Sequence, residues 1–279
     1  MAEHFASPPN WAWWIAGYFF LAGLAGGCYV LATIVRLWGS SVDEPVVRLG
    51  YLLPLPLVVV CAIFLTVDLG SPLRFWHMLI DTTPGAGGLN FKYWSPMSVG
   101  VWGLSIFGVF TLLSFLEARK MLRLPSIVPI VGCLFALYVM GYTGVLLSVS
   151  NQPVWSDTYA LGGLFLASGL SGSAALLLWL GRRDATPQTE LRLARADGYF
   201  SVLELAFVAA FFATVGIAGT IGRELAPLWL VMWIVVIATL LPGLRAAFTR
   251  PHQASTGVAV AVLAGVLLMR LVVVFSAQY

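Results

Sequence analysis

The chain has 279 residues, 60% of them hydrophobic and only 10% charged, where soluble domains carry about 25% charged residues. With a mean hydropathy of +0.92, this excludes a soluble globular protein, and a net charge of +3 offers no broad basic surface for nucleic acid. The apolar runs are continuous and not alternating, which predicts an all-α integral membrane protein and not a barrel.

A span needs about 20 apolar residues. In chain order the runs are Trp11–Trp38, Leu49–Val67, Met97–Leu116, Ile127–Val149, Tyr159–Leu180, Tyr199–Ile221, Pro227–Phe248 and Thr256–Ser276, eight in all. The ten residues before the first run hold Glu3 and His4 but no Lys or Arg. A secretory signal has a basic start, so the first run reads as a retained span.

An even number of spans puts both termini on one side, and Lys and Arg choose the side. The connections after spans 1, 3, 5 and 7 hold eleven basic residues, among them Arg36, Arg119, Lys120, Arg182 and Arg192. The opposite side holds three: Arg74, Lys92 and Arg223. Both termini are therefore expected outside.

Two stretches resemble each other: FFLAGLAGG in span 1 (Phe19 to Gly27) and LFLASGLSGS in span 5 (Leu164 to Ser173). Both spans run outside to inside, which fits a parallel repeat of two four-helix bundles, residues 1–150 and 151–279. Small residues let membrane helices approach closely. Independent glycine-rich helices are the other reading.

Membrane cytochromes hold haem through histidines within their spans. The chain has three histidines, His4, His77 and His252, none inside a span, so no haem is expected. Cys28, Cys61 and Cys133 lie singly in apolar runs, which supports neither an iron–sulfur cluster nor zinc. No P-loop or dinucleotide fingerprint is present.

The connector after span 2, from Asp68 to Pro96, has 29 residues, where about five would suffice. Ser71-Pro72 predicts a short helix through Leu79. Asp68, Arg74 and His77 lie beside aromatics there, an arrangement suited to a ligand with a polar head and a greasy tail, such as a quinone. An interfacial helix anchored by Trp76 and Arg74 is the alternative. In span 4, Tyr142 stands between Gly141 and Gly144 near the outer side. It is either a ligand contact or an interfacial anchor.

Charges within spans are costly and tend to be functional. Glu204 lies in span 6 near its inner end and Arg270 in span 8 nearer the outside, at different depths, so they are not expected to pair directly. Each is a candidate for a proton path or for helix packing. Glu117, beside Arg119 and Lys120, reads as an interfacial ion pair.

GLAGG, SPLRFWH, WSPMSVGVW, GYTGVLL and the PVW with LF.ASGLSG, in this order over eight spans, resemble the NrfD/PsrC family, membrane subunits of polysulfide-reductase-type complexes. The similarity covers nearly the whole chain. It implies two four-helix bundles, no haem, and a site for menaquinone or ubiquinone at the outer end of the first bundle. It also implies a ferredoxin-like iron–sulfur subunit docked over that end, with a molybdopterin catalytic subunit beyond it, in a bacterial or archaeal cytoplasmic membrane. By resemblance Tyr142 is the quinone-site tyrosine, His77 the histidine after span 2, and Tyr18 the polar span 1 residue facing the pocket. Ile15 stands where the resemblance implies an asparagine.

The chain thus reads as a quinone-reactive membrane anchor, embedded in lipid and not catalytic alone. A solute or ion transporter is the rival, because parallel repeats also occur there. Transporters break helices near the midplane, whereas Pro54, Pro56 and Pro129 sit near span starts. A passive anchor without a ligand is the third reading.

Overall fold

A computed structural model describes residues 9–81, 88–248 and 256–278. His4, Arg250, His252 and Tyr279 lie outside the described residues.

The first helix, α1, runs Trp13–Trp38, and its end is closed by the Gly39 N–H donating to the Val35 carbonyl at 2.7 Å. Span 2 is two helices, α2 (Glu44–Leu52) and α3 (Pro54–Asp68). Pro54 has no N–H to continue the ladder, so the helix breaks at Leu53. The second span therefore begins before Leu49, and its break falls after a nine-residue helix. Helix α4 (Pro96–Ala118) starts with Pro in its first turn behind a Ser95 cap, where the missing N–H costs nothing. Next come α5 (Ile127–Ser148) and α6 (Ala160–Gly181).

Helix α7 runs Pro187–Ala218, starting well before the Tyr199 expected from hydropathy. The early start follows from Thr186, whose Oγ1 accepts from the Thr189 N–H at 3.3 Å, and from Pro187 in the first turn. Gly219, at φ +82°, closes it in the left-handed conformation. The short α8 (Ile221–Glu224), α9 (Pro227–Phe248, with Pro242 inside) and α10 (Thr256–Ser276) complete the chain. Among the described residues, eight segments are long and apolar enough to cross a membrane, α2 and α3 counting as one.

Helix α1 packs on α2, α3 and α5, and α4 joins this group through α3 and α5. Helix α6 packs on α7 and α10, and α9 on both α7 and α10. The two groups meet along α1, α5 and α6. The described ends of the chain touch, the Trp11 N–H donating to Gln278 Oε1 at 2.6 Å and the Trp11 ring stacking on Trp155.

The two similar small-residue stretches are packed against each other. Ser173 Oγ of α6 donates to the Leu24 carbonyl of α1 at 3.0 Å. A Cβ on Gly27 would lie 2.6 Å from the Gly169 carbonyl oxygen, so only glycine allows this approach. Gly144 of α5 lies equally close against the Leu161 backbone of α6.

Side-chain polar groups close the opposite, arginine-rich end. Arg36 grips Glu117 with both terminal nitrogens and donates to the Leu124 carbonyl at 3.2 Å. Glu117 thus pairs with Arg36 of α1, and not with the adjacent Arg119 or Lys120 expected from sequence. Lys120 takes φ +60° as the chain leaves α4, and both of those cations are exposed. Buried Asp43 accepts from Thr189 Oγ1 and, at 3.0 Å, from Arg192, tying the two helix groups together.

Candidate functional site

The first polar cluster lies inside the first helix group, towards the end where the termini meet. Tyr18 of α1 is buried, and its electrostatic neighbours are Cys61 of α3 and Tyr138 and Tyr142 of α5. The Cys61 thiol points at the Tyr18 carbonyl, 3.7 Å away. Tyr138 and Tyr142, four residues apart on one face of α5, stack with ring centroids 5.5 Å apart.

Each α5 tyrosine rests in a glycine notch of α4. A Cβ on Gly100 would overlap the Tyr142 ring and hydroxyl, and one on Gly103 would overlap Tyr138. The Tyr142 hydroxyl donates to the Pro96 carbonyl. The glycines next to Tyr142 in sequence do something else. Gly144 abuts the α6 backbone and Gly141 faces Leu166 and Gly162, so the room for Tyr142 is supplied by Gly100 across the helix pair.

The connector after α3 forms a lid-like layer at the same end. Residues Pro72–Met78 are a 3-10 helix, tighter than an α-helix. Two short antiparallel strands follow, β1 (Ile80–Asp81) and β2 (Gly88–Leu89), paired Ile80 with Leu89. Asn90 organises the layer. Its Nδ2 donates to the His77 carbonyl at 2.8 Å, and its own carbonyl accepts from Trp102 Nε1 at 3.1 Å and Ser98 Oγ at 3.3 Å. Asn90 Oδ1 is buried and, among the described residues, has no hydrogen-bond partner.

His77 is half-buried against the Trp76 ring, Arg74 is exposed, and Asp68 is half-buried at the end of α3. The structure thus places Tyr18 and Tyr142 within electrostatic reach of each other. Among the described residues it joins His77, Asp68 and Arg74 to neither tyrosine by a hydrogen bond or ion pair. The layer exposes Leu73, Phe75, Trp76, Phe91, Tyr93 and Trp94, an apolar face outside the helices.

The second polar cluster lies in the other helix group. Glu204 and Arg270 are both fully buried. Among the described residues no direct ion pair joins them, and neither Glu204 oxygen has a hydrogen-bond partner in the protein. Arg270 Nη2 donates to the Phe165 carbonyl at 2.8 Å, and its guanidinium carbon lies 3.7 Å over the Phe165 ring. Sequence reasoning passed over Tyr138, Asn90 and Asp197. Tyr138 and Asp197 had a usable signal, the four-residue spacings Tyr138–Tyr142 and Asp197–Ser201 on one helix face.

Eight apolar segments with a paired-tyrosine cluster at one end define a multi-pass membrane protein. The sequence matches the protein-family profile described as polysulfide reductase, of the NrfD type, over residues 4–279, and the chain belongs to that family. It is 30% identical over 193 residues to a polysulfide reductase polypeptide of Wolinella succinogenes, covering 61% of this chain and 58% of that one. It is 26% identical over 114 residues to a selenate reductase subunit of Mesobacillus selenatarsenatis, covering 41% of this chain and 24% of the other. With NrfD of Escherichia coli the identity is 26% over 203 residues, or 63% and 61% of the two proteins. The matches thus span less than two thirds of these relatives' own lengths. Two of the three relatives bear the names of reductase components.

Proposed function

We propose that this chain is the quinone-reactive membrane subunit of a multi-subunit oxidoreductase, passing electrons between a partner iron–sulfur subunit and the membrane quinone pool. The observation that carries this is the proximity of Tyr18 and Tyr142 near the end of α4 at which Asn90 ties down the aromatic connector. The helix groupings are read as two four-helix bundles, with the site in the first. Arginine placement supports an orientation with the tyrosine end outside, in a bacterial or archaeal cytoplasmic membrane. A reporter active only in the cytoplasm, fused after Tyr279, is expected to stay silent; a signal would reverse the orientation.

The residues fit a quinone by their chemistry. Phenol hydroxyls provide hydrogen bonds to its oxygens, and the aromatic walls provide apolar contact for its ring and tail. With its proton directed at the Pro96 carbonyl, the Tyr142 oxygen is left to accept, which suits the hydroxyl of a quinol. Bonding a quinone carbonyl instead requires the Tyr142 proton to leave Pro96. Tyr18 supplies a second hydroxyl from α1. His77 can exchange protons with water near neutral pH, with Asp68 and Arg74 setting the charge at the rim. Glu204 and Arg270 are read as a proton path in the second bundle.

The exposed face bearing Leu73, Phe75, Trp76, Phe91, Tyr93 and Trp94 is the surface on which the iron–sulfur subunit would dock, with a molybdopterin catalytic subunit beyond it. Purification through a tag on this chain is expected to recover an iron–sulfur subunit and quinol-linked activity. A chain that purifies alone from its native membrane, with no such activity in the fraction, would contradict the proposal. Haem is not part of the reading, so the reduced-minus-oxidised spectrum of the isolated chain is expected to lack a b-type signal.

A further inference from the structure

Asp197, Ser201 and Glu204 lie on one face of α7, at spacings of four and three residues, and all three are buried. The face points at α6, where Ser171 Oγ donates to Asp197 Oδ1 at 2.8 Å and lies 3.4 Å from Ser201 Oγ. Helix α9 closes the side at Gly243, where a Cβ would strike Ser201 and come within 3.3 Å of Asp197 Oδ2. The electrostatic neighbours of Glu204 are Arg270 and Asp197. Arg270 comes from α10, and among the described residues its Nε has no hydrogen-bond partner.

Around this string the other charges are few. Helix α6 carries no acidic or basic residue, α9 carries Arg245 alone, at its arginine-rich end, and α10 carries Arg270 alone. Asp43 faces Thr189 and Arg192 at the start of α7, and Glu224 of α8 is held by Trp233 and Ser276. Tyr199 of α7 is exposed.

The charges in the cluster do not balance. Arg270 is a permanent cation. With both carboxyls ionised the interior would hold one negative charge in excess, and an uncompensated buried charge is strongly unfavourable. One proton on either carboxyl makes the cluster neutral. Two protons would leave Arg270 uncompensated.

We propose that Asp197 and Glu204 share a single resident proton beside the fixed charge of Arg270, and that the Ser171 and Ser201 hydroxyls pass it between them. This rests on the reading of Glu204 and Arg270 as a proton path and adds the acid that feeds it. Asp197 lies about 15 Å along α7 from its arginine-rich start and Glu204 about 25 Å, at about 1.5 Å per residue. Asp197 is therefore the loading end. In the transfer, the Ser171 hydroxyl first turns from Asp197 to Ser201; protonated Asp197 then gives its proton to the Ser171 oxygen, and the Ser171 hydroxyl proton moves to Ser201. The Ser201 proton passes to the Glu204 carboxylate once that side chain turns toward it. Each serine loses one proton and regains one. The net change is one proton from Asp197 to Glu204.

The charge count makes the test sharp. Infrared difference spectra of the full chain in lipid vesicles, wild type minus variant at one pH, report protonated carboxyls through their carbonyl stretch. The wild type is expected to have one such carboxyl in this cluster. Asp197→Asn keeps the shape and the Ser171 hydrogen bond but removes one negative charge, so Glu204 no longer needs the proton and the band is lost. Glu204→Gln loses it for the same reason. A band that persists in Asp197→Asn overturns the shared proton. Ser171→Ala keeps both acids, so the band is expected to remain while its exchange into deuterated water slows. Unchanged exchange overturns the relay. A band whose intensity depends on sodium at fixed pH also overturns it, because the balancing cation would then be sodium. Proton uptake by the whole complex is a separate measurement. If it is lost in Glu204→Gln while the band survives in Asp197→Asn, the broader path stands and the shared proton falls.

Discussion

Gly23 of α1 and Gly169 of α6 meet backbone to backbone: a Cβ on Gly169 would lie 3.1 Å from the Gly23 carbonyl oxygen. The same seam seats Arg270, whose Nη2 would lie 3.3 Å from a Cβ on Gly23. This close contact between the two helix groups thus borders the buried guanidinium. Gly169→Leu is expected to lower the melting temperature of the detergent-solubilised chain, since overpacking costs about 1–3 kcal/mol. Ser173→Ala, which only loses the Leu24 hydrogen bond, is expected to cost less, about 0.6 kcal/mol. Equal effects would contradict the close-packing account.

Gly100 positions Tyr142 without touching it through polar atoms. Gly100→Ala forces the ring out of its notch and is expected to reduce quinol-linked turnover of the complex, as is expected of Tyr142 variants. Gly222→Ala, at a position with open space, is the control. Full turnover in Gly100→Ala would mean that the placement of Tyr142 is immaterial.

Glu224 predicts a pH dependence. Burial holds its carboxyl above the ordinary value of 4.5, opposed by hydrogen bonds from Ser276 and Trp233. The folded value exceeds the unfolded one, so its contribution to stability is present below the ordinary glutamate range. It is lost as pH rises through the folded value. The melting temperature of the chain is expected to fall over that window, and Glu224→Gln is expected to flatten the slope. A slope identical in the variant would assign the dependence to other groups.

The spans were legible in the sequence because a membrane helix must satisfy its own backbone and present apolar side chains over its length. Their ends were less so. The polar first turns of α7 continue the helix beyond the apolar stretch, since Thr186 and Pro187 set its start and hydropathy is blind to capping. The pairing of Glu117 was hidden for a different reason. Its partner Arg36 is 81 residues away, and sequence neighbours such as Arg119 were the only visible candidates. At the candidate site, Tyr142 was identified from its place between glycines and by resemblance, and Tyr18 by resemblance alone. That they converge, with Tyr138 between α4 and α5, depends on Gly100 and Gly103, whose role is a matter of which helix they face. The similarity of FFLAGLAGG to LFLASGLSGS was visible. That the two pack on each other was not, because a repeat gives likeness and not contact.

The central claim is that the Tyr18–Tyr142 cluster binds the quinone, and it is tested by quinol-linked activity of the purified complex in Tyr142→Phe and Tyr18→Phe variants, with subunit content measured alongside. Each substitution removes one hydroxyl, and one hydrogen bond to a neutral partner is worth about 0.5–1.5 kcal/mol. Apparent quinol affinity is therefore expected to fall about two- to tenfold in each variant with all subunits retained. A further loss in turnover, of about a hundredfold or more, would mark proton transfer through that hydroxyl. Wild-type quinol kinetics in both variants, with the complex intact, would place the site elsewhere.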